Sequence, residues 1–273
     1  MKFAQCSAVY FNYSLQYAIN YLASMGYQGI EIWGGRPHMY RNDLDEQLDE
    51  INRLLTEHNM TVCNFTPCQF RYPSILASET EKIRKNSIEY IKTGIDNAVK
   101  VNAPSIHLCA GMALLDKDSS KGWSLLKKSI EEINEYAIEK GKHVLIEPAH
   151  RFESNLILTI HDGLKMIDEV KSNNLGILLD TGHVNVNGEN FQDTISYCKD
   201  IPFHVHIDDN NGDIDAHLIP GRGNIDFKKL RKELEAINYS GWLSVELGGS
   251  YWTDPTSACK ESLDFLERTF QRW

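Results

Sequence analysis

The chain lacks several features that identify common classes of protein. None of its 6 cysteines belongs to a C-x-x-C pair, which argues against a zinc site built from thiolates. The first residues, MKFAQCSAVYFNYS, contain no apolar stretch of the signal-peptide type, and no apolar run approaches the length of a membrane span. We therefore expect a cytoplasmic protein without a membrane partner, whose cysteines are reduced thiols.

Positive charge is also scarce, because 28 lysines and arginines face 38 aspartates and glutamates, which gives a net charge of −10. A nucleic-acid surface needs a basic patch, so this balance argues against a nucleic-acid partner. The 273 residues, 42% of them apolar, fit either one large α/β barrel or two ordinary domains. No linker rich in Pro, Gly or Ser divides them, which favours a single domain over residues 1–273.

Short apolar runs typical of strands alternate with longer amphipathic stretches along the whole chain. The runs lie at residues 2–7, 29–33, 61–66, 105–110, 143–148, 175–180, 203–208 and 242–247. Among the helical stretches, one should end at Gly26, and another has Ser78 and Glu81 at capping-box spacing. Eight strand–helix units in order predict parallel strands in a closed (β/α)8 TIM barrel of the α/β class. The rival is an open doubly wound sheet, but CSAVYFNYS lacks the glycine-rich loop expected after its first strand.

Four of the predicted strands end on a residue that binds metals in proteins. These residues are Glu147, Asp180, His206 and Glu246. In a closed parallel barrel the carboxyl ends of all strands converge on one mouth, so four side chains spread over about a hundred residues could meet at one ion. Three carboxylates and one imidazole suit a divalent cation. We expect one such ion, Mn²⁺ first, with Co²⁺, Mg²⁺, Zn²⁺ and Ca²⁺ as alternatives.

Glu147 and Glu246 end the fifth and eighth strands and should face each other across the mouth. Two carboxylates on opposite sides of a substrate can remove a proton next to a carbonyl from one face and return a proton to the other. The alternative for either glutamate is an ion pair at the barrel rim. The alternative for Asp180 is a turn or a helix N-cap, since Asp-Thr-Gly suits a turn.

Other side chains near the predicted mouth are candidates for substrate contact. Trp33 and His38 follow the second strand in GIEIWGGRPH, where an aromatic ring beside polar groups suits a sugar, although Trp33 could instead pack in the core. His183, in DTGHVN, could hydrogen-bond a substrate oxygen. His217 lies in the turn-rich stretch 209–226, which we interpret as an active-site loop, and it either reaches the site or is exposed.

Longer motifs carry a family resemblance that covers nearly the whole chain. They are GYQGIEIWGGRPH, LIEPAHRFESN, HVHIDDNNGDIDAHLIPGRG and VELGGSYWTDP. In these motifs the chain resembles the xylose-isomerase-like TIM-barrel family of sugar isomerases and epimerases. The resemblance implies that the four strand-end residues bind the metal and that Glu147 and Glu246 are the two acid–base carboxylates. It further implies that Glu153 and His183 contact the substrate and that the chain forms a homodimer or an assembly of dimers.

One position departs from the family pattern. The ketose 3-epimerases that the chain resembles have an arginine six residues after the histidine ligand, where this chain has Gly212. The longer loop supplies His217 and Arg222 instead, which favours a ketosamine of the fructoselysine type, or another substituted sugar, over a free ketose.

We therefore predict an isomerase, a metal-dependent epimerase that inverts C3 of a ketose or ketosamine through a cis-enediolate. An aldose–ketose isomerase or a sugar dehydratase of the same superfamily is the main alternative. An endonuclease-IV-like repair enzyme would need more histidine ligands, and the third strand ends in Asn64-Phe65-Thr66 without one. A sugar-binding barrel without activity would need a missing ligand, and none is missing.

Overall fold

The computed structural model describes residues 1–69 and 74–270, and these form the predicted closed barrel. Its eight strands are all parallel and follow one another in chain order, with β1 paired to both β2 and β8. The strands are β1 Lys2–Cys6, β2 Gly29–Gly34, β3 Thr61–Pro67, β4 Ser105–Cys109, β5 His143–Glu147, β6 Leu175–Asp180, β7 Phe203–Ile207 and β8 Trp242–Val245. The α/β class and the TIM-barrel fold are thus confirmed.

Helices follow the strands and cover the outside of the barrel. They are α1 Leu15–Met25, α2 Leu48–Glu57, α3 Glu81–Lys100, α4 Ser119–Glu139, α5 Ile160–Val170, α6 Thr181–Val186, α7 Phe191–Ser196, α8 Phe227–Ala236 and α9 Pro255–Phe270, with short 3-10 turns at Ser7–Tyr10, Asp45–Gln47 and Gly249–Tyr251. In the part of the chain described, no helix combines the length and the apolar character that a bilayer crossing needs.

The signals at the helix ends were correct for one helix and wrong for another. Gly26 caps α1 with a φ of 103°, a left-handed conformation that glycine adopts without a steric cost. The predicted capping box at Ser78 is not formed, because α3 begins at Glu81 with Thr80 as its N-cap. The Ser78 hydroxyl instead accepts a hydrogen bond from the Thr80 N–H, which places the turn before the helix rather than at its start.

The strands are buried on both faces, because helices cover the outer side and side chains fill the inside. Much of this filling is polar, with Gln5, Glu31, Asn64, His204 and Ser244 at no more than 4% exposure. Buried polar groups are stable only with partners, so these side chains must be arranged around one another. The polar layer lies directly below the mouth, where the strand ends meet.

Candidate metal and substrate site

The four predicted ligands meet at the carboxyl ends of β5 to β8. Each of Glu147, Asp180, His206 and Glu246 offers one nitrogen or oxygen atom, and these atoms lie within 4.8 Å of one another. His206 Nδ1 is 2.9 Å from Glu246 Oε2, 3.6 Å from Glu147 Oε1 and 3.7 Å from Asp180 Oδ2. Glu246 is the only one of the four with a partly exposed side chain, at 21%, so solvent reaches the cluster beside Glu246.

The unpaired atoms of this cluster fit a cation. Glu147 Oε1, Asp180 Oδ2 and His206 Nδ1 are buried and make no hydrogen bond among the described residues. The other polar atoms of the same side chains do have partners; Asp180 Oδ1, for example, accepts the His183 N–H at 2.9 Å. Leaving buried polar atoms unpaired is costly, and a divalent cation among them would remove that cost. The donor set, three carboxylates and one imidazole, suits such an ion.

Glu31, which the sequence analysis did not select, orients the imidazole of this set. Its two oxygens lie 2.9 and 3.0 Å from His206 Nε2, and one of them lies 3.0 Å from His204 Nε2. The Asn64 amide and the Thr66 hydroxyl also donate to it. Burial would raise the pKa of Glu31, but His206 and His204 outweigh burial and hold that pKa well below its usual range. The ionised carboxylate keeps the proton on His206 Nε2, which leaves Nδ1 free to bind a cation.

Two residues of β4 hold the second oxygen of Glu147. His107 Nε2 lies 2.8 Å from Glu147 Oε2, and the Cys109 thiol donates to the same oxygen at 3.3 Å. Burial raises the pKa of Glu147, but His107 and His183 lower it by more than burial raises it, so the carboxylate is ionised. The pKa of Glu246 is lowered as well, because the attraction of His206 exceeds the effect of burial. Both glutamates are therefore bases at neutral pH.

A second cluster of titratable side chains is centred on Asp215, whose side chain is 4% exposed. Its Oδ2 lies 2.7 Å from His217 Nε2, 3.2 Å from His183 Nε2 and 3.4 Å from His150 Nε2. Glu153 reaches the edge of the cluster, with Oε2 at 3.7 Å from His183 Nε2. The structure thus brings together three of the predicted substrate-contact residues. The sequence analysis missed Asp215 and His150, although Asp215 lies only two positions before His217 in the same loop motif.

Trp33 lies at the end of β2 in a group of aromatic rings near the mouth. Its ring centroid is 5.4 Å from that of Phe11, which in turn stacks on Trp252 at 4.3 Å. Trp33 lies in β2, and Phe11 and Trp252 follow the neighbouring strands β1 and β8, so the rings form one side of the rim. An aromatic surface of this kind suits the C–H face of a sugar.

His38 and Arg222 lie outside both clusters. His38 is fully buried and uses both ring nitrogens, Nδ1 at 3.0 Å from Ser7 Oγ and Nε2 at 3.1 Å from the Tyr13 carbonyl. Burial lowers the pKa of His38 to about 4, so the ring is neutral. Arg222 makes a two-pronged ion pair with Glu261 of α9, at 2.8 and 2.6 Å, on the exposed surface.

Comparison with known proteins agrees with this fold. A family model described as "Xylose isomerase-like TIM barrel" matches residues 19–269. The chain belongs to this family. The fructoselysine 3-epimerase of Shigella flexneri is 30% identical over 251 residues, which cover 92% of this chain and 91% of that enzyme. The family resemblance and the prediction of an isomerase are confirmed.

Solved structures show the same fold. A D-tagatose 3-epimerase-like protein aligns with a TM-score of 0.82 at 25% identity and covers 98% of this chain and 99% of its own. A structure of the IOLI protein with a zinc atom aligns with a TM-score of 0.84 at 20% identity, with both chains covered to 100%. At that identity the second match shows a shared barrel and nothing further.

Proposed function

We propose that this protein is a metal-dependent sugar epimerase that inverts C3 of a ketose or ketosamine through a cis-enediolate. The observation that carries the proposal is the convergence of Glu147 and Glu246, which reach one imidazole nitrogen from strands on different sides of the mouth. The relative with 30% identity, a fructoselysine 3-epimerase, supports both the reaction and a ketosamine as the substrate.

Glu147, Asp180, His206 and Glu246 would hold one divalent cation, with Mn²⁺ as the first candidate. The unpaired atoms Glu147 Oε1, Asp180 Oδ2 and His206 Nδ1 support this assignment. When bound, such an ion polarises a carbonyl oxygen and acidifies the adjacent C–H bond. The carboxylate-rich donor set favours Mn²⁺, Mg²⁺ or Ca²⁺ over metals that prefer nitrogen or sulfur.

The two glutamates would exchange the proton on C3. Inversion requires that a proton leaves one face of the carbon and that a proton returns to the other, so one base on one side is not sufficient. Both carboxylates are ionised, which makes either one able to accept the proton first. His107 and Cys109 fix Glu147 by its second oxygen, and this leaves Oε1 as the atom that faces the cluster. General acid–base catalysis of this kind is typically worth about a hundredfold to ten-thousandfold in rate.

The remaining predicted residues would select the substrate. Glu153, His183 and His217 supply the polar side of the mouth, and Trp33 supplies part of its aromatic side. We assign His38 and Arg222 an indirect role, in which they fix the loops that follow β2 and β7. Gly212, at the position of an arginine in ketose epimerases, leaves more space for a substituted sugar.

The proposal is tested with a panel of ketoses and ketosamines, with added Mn²⁺, followed by sugar NMR in heavy water. We expect deuterium at C3 and a C3 epimer as product. Deuterium at C1 or C2 with an aldose as product would replace the epimerase by an aldose–ketose isomerase. Loss of water from the sugar would replace it by a dehydratase.

A further inference from the structure

A groove of about 570 Å³ opens between the segments that follow β3 and β4. Among its lining residues, Leu114 and Leu115 are 63% and 81% exposed, and nothing in the proposed reaction uses them. We infer that this groove receives the substituent of a ketosamine substrate, an aliphatic chain that ends in the charged groups of an amino acid. The inference rests on the proposed function for the position of the sugar, and it adds the class of substituent.

The groove lies on the same face of the barrel as the mouth. Its lining residues fall in two segments, 74–83 and 111–122, each of which runs from beyond a strand end to the first turn of the next helix. Gly111 comes two residues after Cys109, whose thiol lies 3.3 Å from Glu147 Oε2. Consecutive Cα atoms are about 3.8 Å apart, so the groove begins within roughly 8 Å of the Cys109 backbone. A chain attached to a sugar beside Glu147 can therefore enter the groove.

The other described sides of the mouth suit an aliphatic chain less well. The aromatic rings after β1, β2 and β8 pack on one another and offer a flat surface, which suits the ring of the sugar. The cluster around Asp215 is polar, and the space beside Gly212 borders the backbone and side chain of Asn185. Methylene groups gain most from leaving water against apolar surface, which Leu114 and Leu115 provide.

Hydrogen bonds hold both walls of the groove in place. On the β4 side, the Asn155 side chain accepts the Ala113 N–H at 2.9 Å and donates to the Ala113 carbonyl oxygen at 3.2 Å. On the β3 side, the Ile75 N–H donates to the Ser87 hydroxyl at 2.7 Å. Because these walls are already ordered, binding a chain between them costs little conformational entropy of the protein.

Side chains of both charges follow directly after the two leucines. Lys117 Nζ lies 3.6 Å from Asp116 Oδ2, and the two side chains are 50% and 76% exposed. An exposed ion pair contributes little to stability, so each partner is available to a ligand. When a sugar is joined to the side-chain amine of lysine, the α-ammonium and α-carboxylate groups remain at the far end of the chain. Their charges are complementary to those of Asp116 and Lys117.

A series of ketosamines tests the inference on the wild type alone. The compounds join fructose to methylamine, to butylamine or to the side-chain amine of lysine, and their affinities are measured by titration calorimetry with Mn²⁺ present. We expect the two long compounds to bind about five- to fiftyfold more tightly than the methylamine compound, because three further methylene groups leave water. The lysine compound should bind most tightly, with an excess over butylamine that shrinks as salt is added.

Sugar NMR of the same compounds separates this inference from the proposed function. Tighter binding of the long compounds without C3 epimerisation would reject the proposed function and keep the inference. C3 epimerisation with equal affinity for all three compounds would keep the function and overturn the inference. If none of the three binds, the inference is overturned as well.

Leu115→Ser locates the effect. The variant should lose about three- to tenfold of the preference for the lysine compound over the methylamine compound, with the affinity for the methylamine compound unchanged. Ile138→Ser is the matched control, since it changes a side chain that is 53% exposed in α4 and lies outside the groove. A lower mass of Leu115→Ser in light scattering, with an unchanged preference, would assign the groove to a second copy of the chain and overturn the inference. A crystal structure with the lysine compound should show its methylene groups between Leu115 and Ile83, and a chain that leaves the mouth elsewhere would also overturn it.

Discussion

Removing the charge of Glu31 should weaken metal binding at the site proposed for Glu147, Asp180, His206 and Glu246, although Glu31 is not one of its ligands. In Glu31→Gln the shape is kept, but an amide has one acceptor oxygen where the carboxylate has two. In the wild type, the carboxylate accepts hydrogen bonds from His206, His204, Asn64 and Thr66. The amide nitrogen would therefore face at least one of these donors, and the proton on His206 Nε2 would lose its fixed partner.

The size of the effect follows from that loss. Changing a group that orients a metal-binding histidine typically costs about 10- to 100-fold in affinity. This corresponds to about 1.4 to 2.8 kcal/mol of binding free energy. We expect the upper half of that range, because Glu31 is fully buried and no water can replace the lost acceptor.

Isothermal titration of chelator-treated protein with Mn²⁺ measures the effect. Glu46→Gln, in the exposed turn Asp45–Gln47, removes the same charge far from the site and should leave the affinity unchanged. If folded Glu31→Gln binds Mn²⁺ as tightly as the wild type, Glu31 does not set the tautomer of His206. If the wild type binds no Mn²⁺ at all, the proposed metal site is wrong.

Three further predictions test the reaction, the pH response and the assembly. Glu147→Gln and Glu246→Gln should each lower epimerase activity by at least about a hundredfold. Exchange of the C3 proton with solvent should persist on the side of the surviving carboxylate, which NMR in heavy water would show. Near-normal epimerisation with metal bound would refute the two-carboxylate mechanism. The pKa of His38 is about 4 in the folded protein and about 6.5 in the unfolded chain, so the unfolded chain binds the proton first as the pH falls. The free energy of unfolding should therefore decrease between about pH 6.5 and pH 4, by about 3 kcal/mol at most. Urea unfolding at several pH values should show this slope reduced in His38→Gln, and an equal slope in both proteins would contradict it. Light scattering should give a dimer or an assembly of dimers, whereas a mass of 31.2 kDa would exclude assembly.

The barrel and the meeting point of the four predicted ligands could be predicted because both follow from local patterns. Strand-like runs of the right length recur in order, and residues at the ends of parallel strands share one mouth whatever their separation in sequence. The importance of Glu31 could be predicted in part, because a carboxylate inside the apolar run GIEIW must have a partner. Its partners, however, lie 173 and 175 residues away, and no local pattern names them.

The role of a side chain beside a motif depends on contacts that sequence does not give. His38 and Arg222 were selected for their position near the predicted mouth. Ser7 and Tyr13 engage both nitrogens of His38, and Glu261 engages the guanidinium of Arg222. Asp215 was missed for the converse reason, since an aspartate in a turn-rich loop is usually exposed, and only the folded loop turns this one inward.

The bracing of the loop after β7 has a consequence for how the substrate range of this protein could change in evolution. Asp209 joins both ends of the loop, so Asp215 and His217 keep their positions independently of the tip. The tip, residues 211–214, is exposed, with Ile214 at 58%. Substitutions or insertions there would change the exposed surface of the loop and leave the side chains of Asp215 and His217 in place. The loop thus has a part that can accept change within a few residues of a part that its own hydrogen bonds fix.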